Sequence, residues 1–359
     1  MKIFSPFNLG EIELKNRIVM APMTRSRATA DHIPNDIMVK YYKQRAQAGL
    51  IITEGTSPSP NGVGYPRIPG IYNEAQIRGW RKITDAVHSE KGKLFLQLMH
   101  TGRVSHMDNM KPGAKIMAPS AVAMSGEMYT DSKGLQPYPV PREMTRDDIE
   151  EAQNEFVQAA VNAVEAGFDG VEIHSANGYL LDQFINPASN HRMDDYGGSI
   201  QNRCRFSIEV AQKISAAIGS QKTGIRLSPH GIFNDMIIFD EIEETYAYLA
   251  VALKKIKLVY IHIVNHSSMG APEVPESIQY IIRKAFEGNM IASGGLDRKK
   301  AESILNADKA ELAAFGRPFL ANPDLVHKMK KDLPLNDPDY DTFYSPGEKG
   351  YTDYPFATD

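Results

Sequence analysis

The chain has 359 residues, of which 42% are hydrophobic and 23% charged, so it can bury a large interior. A formal net charge of −4 gives no sign of a basic surface for nucleic acid or an anionic membrane. A membrane-spanning helix needs about 18 consecutive apolar residues, and no apolar run in the sequence approaches that length. The single cysteine, Cys204, excludes an intrachain disulfide, a cysteine-rich zinc site and an iron–sulfur cluster.

Predicted strands and helices alternate along most of the chain. The strands are continuous apolar runs, which is typical of parallel strands buried on both faces. They are predicted at residues 17–24, 49–56, 93–100, 171–173, 223–229, 258–265, 289–295 and 310–317. Helices are predicted at 35–48, 74–91, 145–167, 199–218, 240–255, 275–286, 298–305 and 322–331.

Eight strand–helix units predict an α/β fold of the closed (β/α)8 TIM-barrel type. An open doubly wound sheet is the alternative, but no G-x-G-x-x-G motif follows the first strand. Residues 101–144 interrupt the rhythm with five prolines, which predicts a hairpin or lid over one end of the barrel. We expect one barrel domain over residues 1–359.

Polar side chains follow nearly every predicted strand, and the carboxyl ends of barrel strands converge on one face. His174, Asn177 and Tyr179 stand within six residues of one another after the fourth strand. Carboxylates are scarce there, with Glu54 and Glu172 the plausible inward ones, so a metal site is not expected. No lysine ends a strand, which disfavours Schiff-base chemistry.

The last two strands end in Gly294–Gly295 and Gly316–Arg317. These positions are where barrels bind phosphate, because glycines let backbone N–H groups approach the oxygens and arginine adds a bidentate contact. The alternative is ordinary turn glycines and a surface arginine. A phosphorylated ligand such as FMN or a sugar phosphate is therefore predicted.

Several segments are typical of one family. They are APMTRSRA at 21–28, QLMHTGR at 97–103, HSANGYLLDQFINPASNHRMDDYGGSIQNR at 174–203, AFGRPFLANPDL at 314–325 and GYTDYP at 350–355. On these segments the chain resembles the old yellow enzyme family of FMN-dependent ene-reductases, which includes bacterial N-ethylmaleimide and pentaerythritol tetranitrate reductases. The resemblance spans essentially the whole chain.

The resemblance implies a set of FMN-binding residues. Thr24 would hydrogen-bond near the flavin C4 carbonyl, and Arg226 would lie by N1 and the C2 carbonyl, where its charge stabilises the anionic reduced flavin. The implied set is Pro22, Met23, Thr24, Gly55, Gln97, Arg226, Gly294, Gly295, Gly316 and Arg317.

The resemblance also assigns the chemistry. His174 and Asn177 would hydrogen-bond a carbonyl or nitro oxygen of the substrate, the β-carbon would accept hydride from flavin N5, and Tyr179 would protonate the α-carbon. The implied pocket walls are Tyr65, Met99, Phe233 and Tyr351, for which ordinary apolar packing is the alternative. His100 and Arg103 are interpreted as structural, and Cys204 as inert packing in a helix.

Three positions depart from relatives. Met99 stands where many members have tryptophan, which should reshape the pocket and affect substrate range and facial selectivity. Asn177 is paired with His174 where some relatives have two histidines, and both types donate hydrogen bonds. Thr24 stands where another branch has cysteine, so a thiol-tuned flavin is not expected.

The implied function is a flavin oxidoreductase in which NADPH, or less favourably NADH, reduces FMN, which then reduces an α,β-unsaturated carbonyl or nitro compound. Alternatives are nitrate-ester or nitroaromatic reduction by the same flavin, a non-catalytic flavin- or ligand-binding barrel, and a sugar-phosphate enzyme. The amino-terminal residues lack the apolar run of a signal peptide, so we expect a cytoplasmic protein. We expect a monomer or homodimer without nucleic-acid or membrane partners.

Overall fold

The computed structural model describes residues 1–358, and eight parallel strands form a closed barrel in it. The strands are β1 (Ile18–Met20), β2 (Leu50–Ile52), β3 (Leu94–Leu98), β4 (Gly170–Ser175), β5 (Thr223–Leu227), β6 (Tyr260–Ile263), β7 (Asn289–Ser293) and β8 (Leu312–Phe315). Each strand pairs with the next, and β8 pairs with β1 to close the ring. The predicted (β/α)8 fold is confirmed.

Ten helices follow or connect the strands in residues 1–358. They are α1 (Asp36–Gln44), α2 (Glu74–Ser89), α3 (Arg146–Glu165), α4 (Leu180–Ile185), α5 (Ile200–Ile218), α6 (Ile242–Ile256), α7 (Glu276–Phe286), α8 (Arg298–Asn306), α9 (Arg317–Ala321) and α10 (Leu325–Lys331). No helix among these residues is both long and apolar enough to cross a membrane.

Side-chain caps fix where several helices begin. The side chains of Asn35, Asn73 and Ser199 accept a backbone hydrogen bond at the first turns of α1, α2 and α5, and Thr145 forms the predicted capping box of α3 with Asp148. These caps explain why the amino-terminal ends of these helices lie within a residue of their predicted positions.

The last helix, predicted over 322–331, is present as α10 (Leu325–Lys331), but it begins later than predicted because Asn322 lies in extended backbone between α9 and α10. Its side chain donates to the carbonyls of Pro318 and Asn336 and accepts from the backbone N–H of Asn336. An asparagine that makes these contacts with backbone groups competes with helix formation.

The barrel interior is apolar at its amino-terminal end. Val19, Leu50, Phe95, Tyr260 and Ile291 belong to one buried cluster that fills it. An antiparallel hairpin, Phe7–Leu9 with Ile12–Leu14, adds two more leucines to this cluster and was not predicted. Its two-residue turn begins at a glycine with φ +59°, the conformation that a tight hairpin turn requires.

Residues 101–144 contain an antiparallel hairpin, Glu127–Thr130 with Gly134–Pro137. The pair Met117–Ala118 and Arg142–Glu143 anchors the base of this excursion. Ser125 donates from its backbone and its hydroxyl to Asp235 in the loop after β5, and Arg103 donates to the Asn234 carbonyl of the same loop. The excursion is therefore tied to the carboxyl end of the barrel.

Three buried arginines, Arg25, Arg27 and Arg45, hold the carboxyl-terminal segment 342–351 against the barrel. We call them the arginine clasp. Arg27 alone donates to the carbonyls of four segment residues, at distances of 2.7 to 3.3 Å: Thr342, Phe343, Gly347 and Lys349. Arg25 donates to Gly350 at 2.7 Å, and Arg45 to Tyr351 at 3.4 Å. A planar guanidinium suits this because its five N–H groups point to several acceptors at once.

Arg27→Lys should loosen the segment, because an ammonium cannot reach four carbonyls from one position. We expect a loss of about 2–4 kcal/mol in the free energy of unfolding, measured by urea denaturation, and faster tryptic cleavage after Lys349. Arg78→Lys on the exposed face of α2 is the matched control and should change stability by less than about 0.5 kcal/mol. Equal stability of the two variants would contradict the clasp.

Candidate active site

A cavity of about 540 Å³ lies at the carboxyl ends of the strands. Nine of the predicted site residues line it: Pro22, Met23, Thr24, Asn177, Arg226, Gly294, Gly295, Gly316 and Arg317. A larger cleft of about 970 Å³ lies outside the barrel between α7 and α8, and Gly294 is the one predicted residue among its lining residues. The smaller cavity is therefore the candidate site.

At the end of this cavity formed by β7 and β8, glycines leave the backbone accessible to a ligand. Gly294 has φ +120°, and a Cβ there would lie 2.1 Å from the Asn265 carbonyl oxygen, so glycine is required. Gly316 differs, because a Cβ there would meet nothing closer than the Met23 sulfur at 3.6 Å. The Arg317 guanidinium is partly exposed and donates to the carbonyl and hydroxyl of Ser268. This end can accept an anionic group.

Arg226 points from β5 toward the cavity and is buried. Its Nε has no hydrogen-bond partner among residues 1–358. Burial lowers the pKa of its guanidinium, while the charge of Glu172 raises it. A buried donor without a partner is costly, so Arg226 is prepared to bind an acceptor group of a ligand.

Beneath Arg226, Glu172 forms the centre of a polar layer inside the barrel. It accepts hydrogen bonds from Gln97 Nε2 at 2.8 Å, His262 Nδ1 at 2.9 Å and the Tyr260 hydroxyl at 3.2 Å. Burial opposes its charge, but His262, Arg226 and Gln97 together hold the pKa of Glu172 below its ordinary value. Gln97 thus supports this layer through its amide nitrogen and keeps its oxygen as an acceptor.

His174 and Tyr179 lie side by side, with ring centroids 4.9 Å apart in an edge-to-face arrangement. Burial, followed by the charge of Arg226, lowers the pKa of His174 well below its ordinary value, so the ring is neutral. Burial raises the pKa of Tyr179 to about 12, although its hydrogen bond with Tyr65 opposes the rise. The Tyr179 and Tyr65 hydroxyls are 3.1 Å apart. The site therefore holds a protonated phenol beside a neutral imidazole.

Asn177 adopts a left-handed conformation, φ +61°, in the turn after β4. Its N–H donates to the Ser228 hydroxyl at 2.8 Å, and its carbonyl accepts from Asn234 Nδ2 at 2.7 Å. Its side-chain Oδ1 lies 2.8 Å from His266 Nε2. The loops after β4, β5 and β6 thus meet at this one residue, and His266 and Asn234 were not predicted.

Met99 is buried beside the tyrosine pair, in a cluster that Tyr65 and Tyr179 contact. A Cβ at Gly55 would lie 2.4 Å from the Met99 sulfur, so this glycine makes room for the thioether. Phe233 packs its ring against His266, with centroids 4.6 Å apart.

Two residues that were interpreted as structural are buried. The Nδ1 atom of His100 accepts a hydrogen bond from the Gly102 N–H. Burial raises the pKa of the Cys204 thiol to about 12.

Two expectations about individual residues are wrong. Tyr351 does not wall the cavity: it is fully buried on the outer side of the barrel, stacked on Tyr41 at 4.0 Å. Glu54 does not point inward: it accepts from the Tyr42 hydroxyl of α1 and the Arg25 N–H, and burial raises its pKa to about 7.

The carboxyl-terminal segment and the turn before it supply other aromatic residues to the cavity. Tyr340 in that turn lines it, as do Phe343 and Tyr344 in the segment, and Tyr344 also contributes electrostatically to the raised pKa of Tyr179. The sequence signal for Phe343 and Tyr344 was the aromatic pair in TFY at 342–344, just before Ser-Pro-Gly.

Comparisons with known proteins agree with this geometry. Residues 2–336 match the family described as NADH:flavin oxidoreductase / NADH oxidase. The chain is 42% identical to a putative 12-oxophytodienoate reductase 3 of Oryza sativa subsp. japonica, with 99% of this chain and 92% of that protein covered. It is 40% identical to a probable flavin mononucleotide-dependent alkene reductase of Leishmania infantum, with 99% and 97% covered.

Solved structures agree as well. Morphinone reductase superposes with a TM-score of 0.94 at 41% identity, covering 99% of this chain and 96% of that chain. The old yellow enzyme homologue from Zymomonas mobilis has a TM-score of 0.93 at 38% identity, with 99% of both chains covered.

The residues that line the cavity are suited to binding FMN. The unpartnered Arg226 Nε offers a donor to an electron-rich ring edge, and the cramped Gly294 with the nearby Arg317 offers an anion site for a phosphate. The chain belongs to the NADH:flavin oxidoreductase / NADH oxidase family, as a member of the old yellow enzymes, and is an FMN-dependent oxidoreductase.

Proposed function

We propose that the protein reduces the activated C=C bond of α,β-unsaturated carbonyl and nitro compounds. The observation that carries the proposal is the neutral His174 and the protonated Tyr179, side by side at the carboxyl end of the barrel with Asn177 in the same turn. A ligand-binding barrel has no need of a proton donor, and this arrangement provides one.

The residues that would hold FMN lie at both ends of the cavity. Gly294, Gly295, Gly316 and Arg317 would hold the phosphate, and Arg226 would donate to the ring edge that becomes negative on reduction. When bound, FMN supplies the hydride from N5. The positive charge of Arg226 would favour the anionic reduced flavin, because a fixed charge in a buried site acts with little screening.

The substrate's oxygen would accept hydrogen bonds from His174 and Asn177. Because His174 is neutral, it donates through one ring N–H and does not protonate the oxygen. These donors withdraw electron density from the alkene and make its β-carbon electrophilic. A nitro group presents the same kind of oxygen acceptor, so nitroalkenes would bind in the same way.

Tyr179 would deliver the proton to the α-carbon. Its raised pKa keeps the phenol protonated over the physiological pH range, which a proton donor needs. The hydroxyl of Tyr65, 3.1 Å away, restricts where the Tyr179 hydroxyl lies.

A reduced nicotinamide coenzyme is the proposed hydride source. Morphinone reductase, which this chain resembles at 41% identity, has been solved with tetrahydroNAD. We propose NADPH as the preferred coenzyme, NADH as the weaker one, and the cytoplasm as the location; these stay predictions from the sequence.

An anaerobic visible spectrum of the FMN-loaded protein tests the function directly. NADPH should bleach the yellow colour, and 2-cyclohexenone added next should restore it. If the colour does not return with 2-cyclohexenone but does return with a nitroalkene or glycerol trinitrate, the substrate class would be nitro compounds. A protein that takes up no FMN would overturn the proposal.

Tyr179→Phe should slow flavin reoxidation by 2-cyclohexenone by about 10²-fold or more, because it removes the proposed general acid. Flavin reduction by NADPH should change little, since that step needs no proton from Tyr179. Stopped-flow absorbance measures the two steps separately, and Tyr248→Phe on the exposed face of α6 is the control. An equal loss in both steps would remove Tyr179 from the proton-donor role.

Met99→Trp should change substrate preference or product stereochemistry, because an indole would displace the neighbouring Tyr65 and Tyr179 rings. The tight fit against Gly55 predicts an overpacking cost of about 1–3 kcal/mol in stability. A panel of substituted cyclohexenones with chiral product analysis measures the change, and Met99→Leu preserves the volume as a control. Identical profiles for all three proteins would show that Met99 does not shape the pocket.

A further inference from the structure

The loop after β6 brings His266 into contact with Asn177, a residue of the proposed substrate site. We infer that His266 is a positioning residue that orients the Asn177 carboxamide so that its Nδ2 donates to the substrate's oxygen. The inference rests on the proposed function, because it specifies how the second donor of the site is set.

The Asn177 backbone is already fixed from both sides. Its N–H donates to Ser228 and its carbonyl accepts from Asn234, so the remaining freedom lies in the side chain. A carboxamide turned by 180° exchanges its donor end for its acceptor end. If Asn177 presented its oxygen, it would repel the carbonyl oxygen of an enone. One contact must therefore choose between the two orientations.

His266 makes that contact, with its Nε2 2.8 Å from Asn177 Oδ1. Burial, followed by the charge of Arg226, lowers the pKa of His266 to about 4, so the ring is neutral and carries one N–H. A proton on Nε2 donates to Oδ1, and both Nδ2 hydrogens of Asn177 are then left for the substrate.

The position of the His266 ring is itself constrained. It is in edge-to-face contact with the ring of Phe233 in the loop after β5, with ring planes inclined at 69°. Two residues along, Ser268 accepts hydrogen bonds from Arg317 through its carbonyl and hydroxyl. Phe233 therefore acts on the site through His266, which gives a role to a residue predicted only as a pocket wall.

His266→Leu removes the donor, whereas His266→Gln keeps an N–H at a similar reach. In the FMN-loaded protein we expect His266→Leu to slow reoxidation by 2-cyclohexenone about tenfold. We also expect it to weaken binding of 4-chlorophenol about tenfold, measured by the change in flavin absorbance; this probe is chosen because its oxygen can accept the hydrogen bonds proposed for the enone oxygen. His266→Gln should recover most of both. Ser267→Ala, in the same loop, is the control, and thermal midpoints should stay close to wild type for all variants.

A double-mutant cycle with Asn177→Ala separates positioning from a general loop effect. In the Asn177→Ala background, His266→Leu should cause no further loss in rate or in phenol affinity. Additive losses, or a His266→Leu protein equal to wild type, would overturn the inference while the wild type's own turnover leaves the proposed function standing. A wild type whose FMN is not bleached by NADPH, or whose colour 2-cyclohexenone does not restore, would overturn both.

Discussion

The Glu172 carboxylate lies inside the barrel, where it accepts hydrogen bonds from Gln97, His262 and Tyr260. A charge removed from water at this depth is tolerated only when hydrogen bonds and an opposite charge compensate it. Arg226, on the neighbouring strand β5, supplies an opposite charge. It also lines the cavity, and its buried Nε has no hydrogen-bond partner among residues 1–358. The Glu172 carboxylate thus stabilises the buried Arg226 cation at the place where the negative charge of a reduced flavin would develop.

The same burial sets the protonation of the groups around the cavity. Low polarity disfavours every charged form, so it lowers the pKa of His174 and raises that of Tyr179. The two shifts have opposite signs and one cause, and together they leave a neutral hydrogen-bond donor beside a protonated phenol. The proposed chemistry therefore relies on the burial of these two side chains.

The sequence was sufficient for the barrel and for the residues at strand exits. Continuous apolar runs specify parallel strands, and closure then forces residues such as Thr24, Arg226 and Gly294 onto one face whatever their separation in the chain. The amino-terminal hairpin could have been predicted from the alternation around Gly10, a glycine at a tight turn. His266 could not, because no periodicity specifies the path of a loop, and its partner Asn177 is 89 residues away.

The misplaced Tyr351 shows what governs such loops instead. Residues 342–351 have no regular hydrogen-bonding partner in a sheet, so their carbonyls are satisfied by the arginine clasp. Once Arg25 and Arg27 bind these carbonyls, Tyr351 is held outside the barrel against Tyr41, and the chain before it passes over the cavity. Phe343 and Tyr344 line the site for that reason. The shape of the candidate site is thus determined partly by the arginine clasp, whose three residues are not among those that line the cavity.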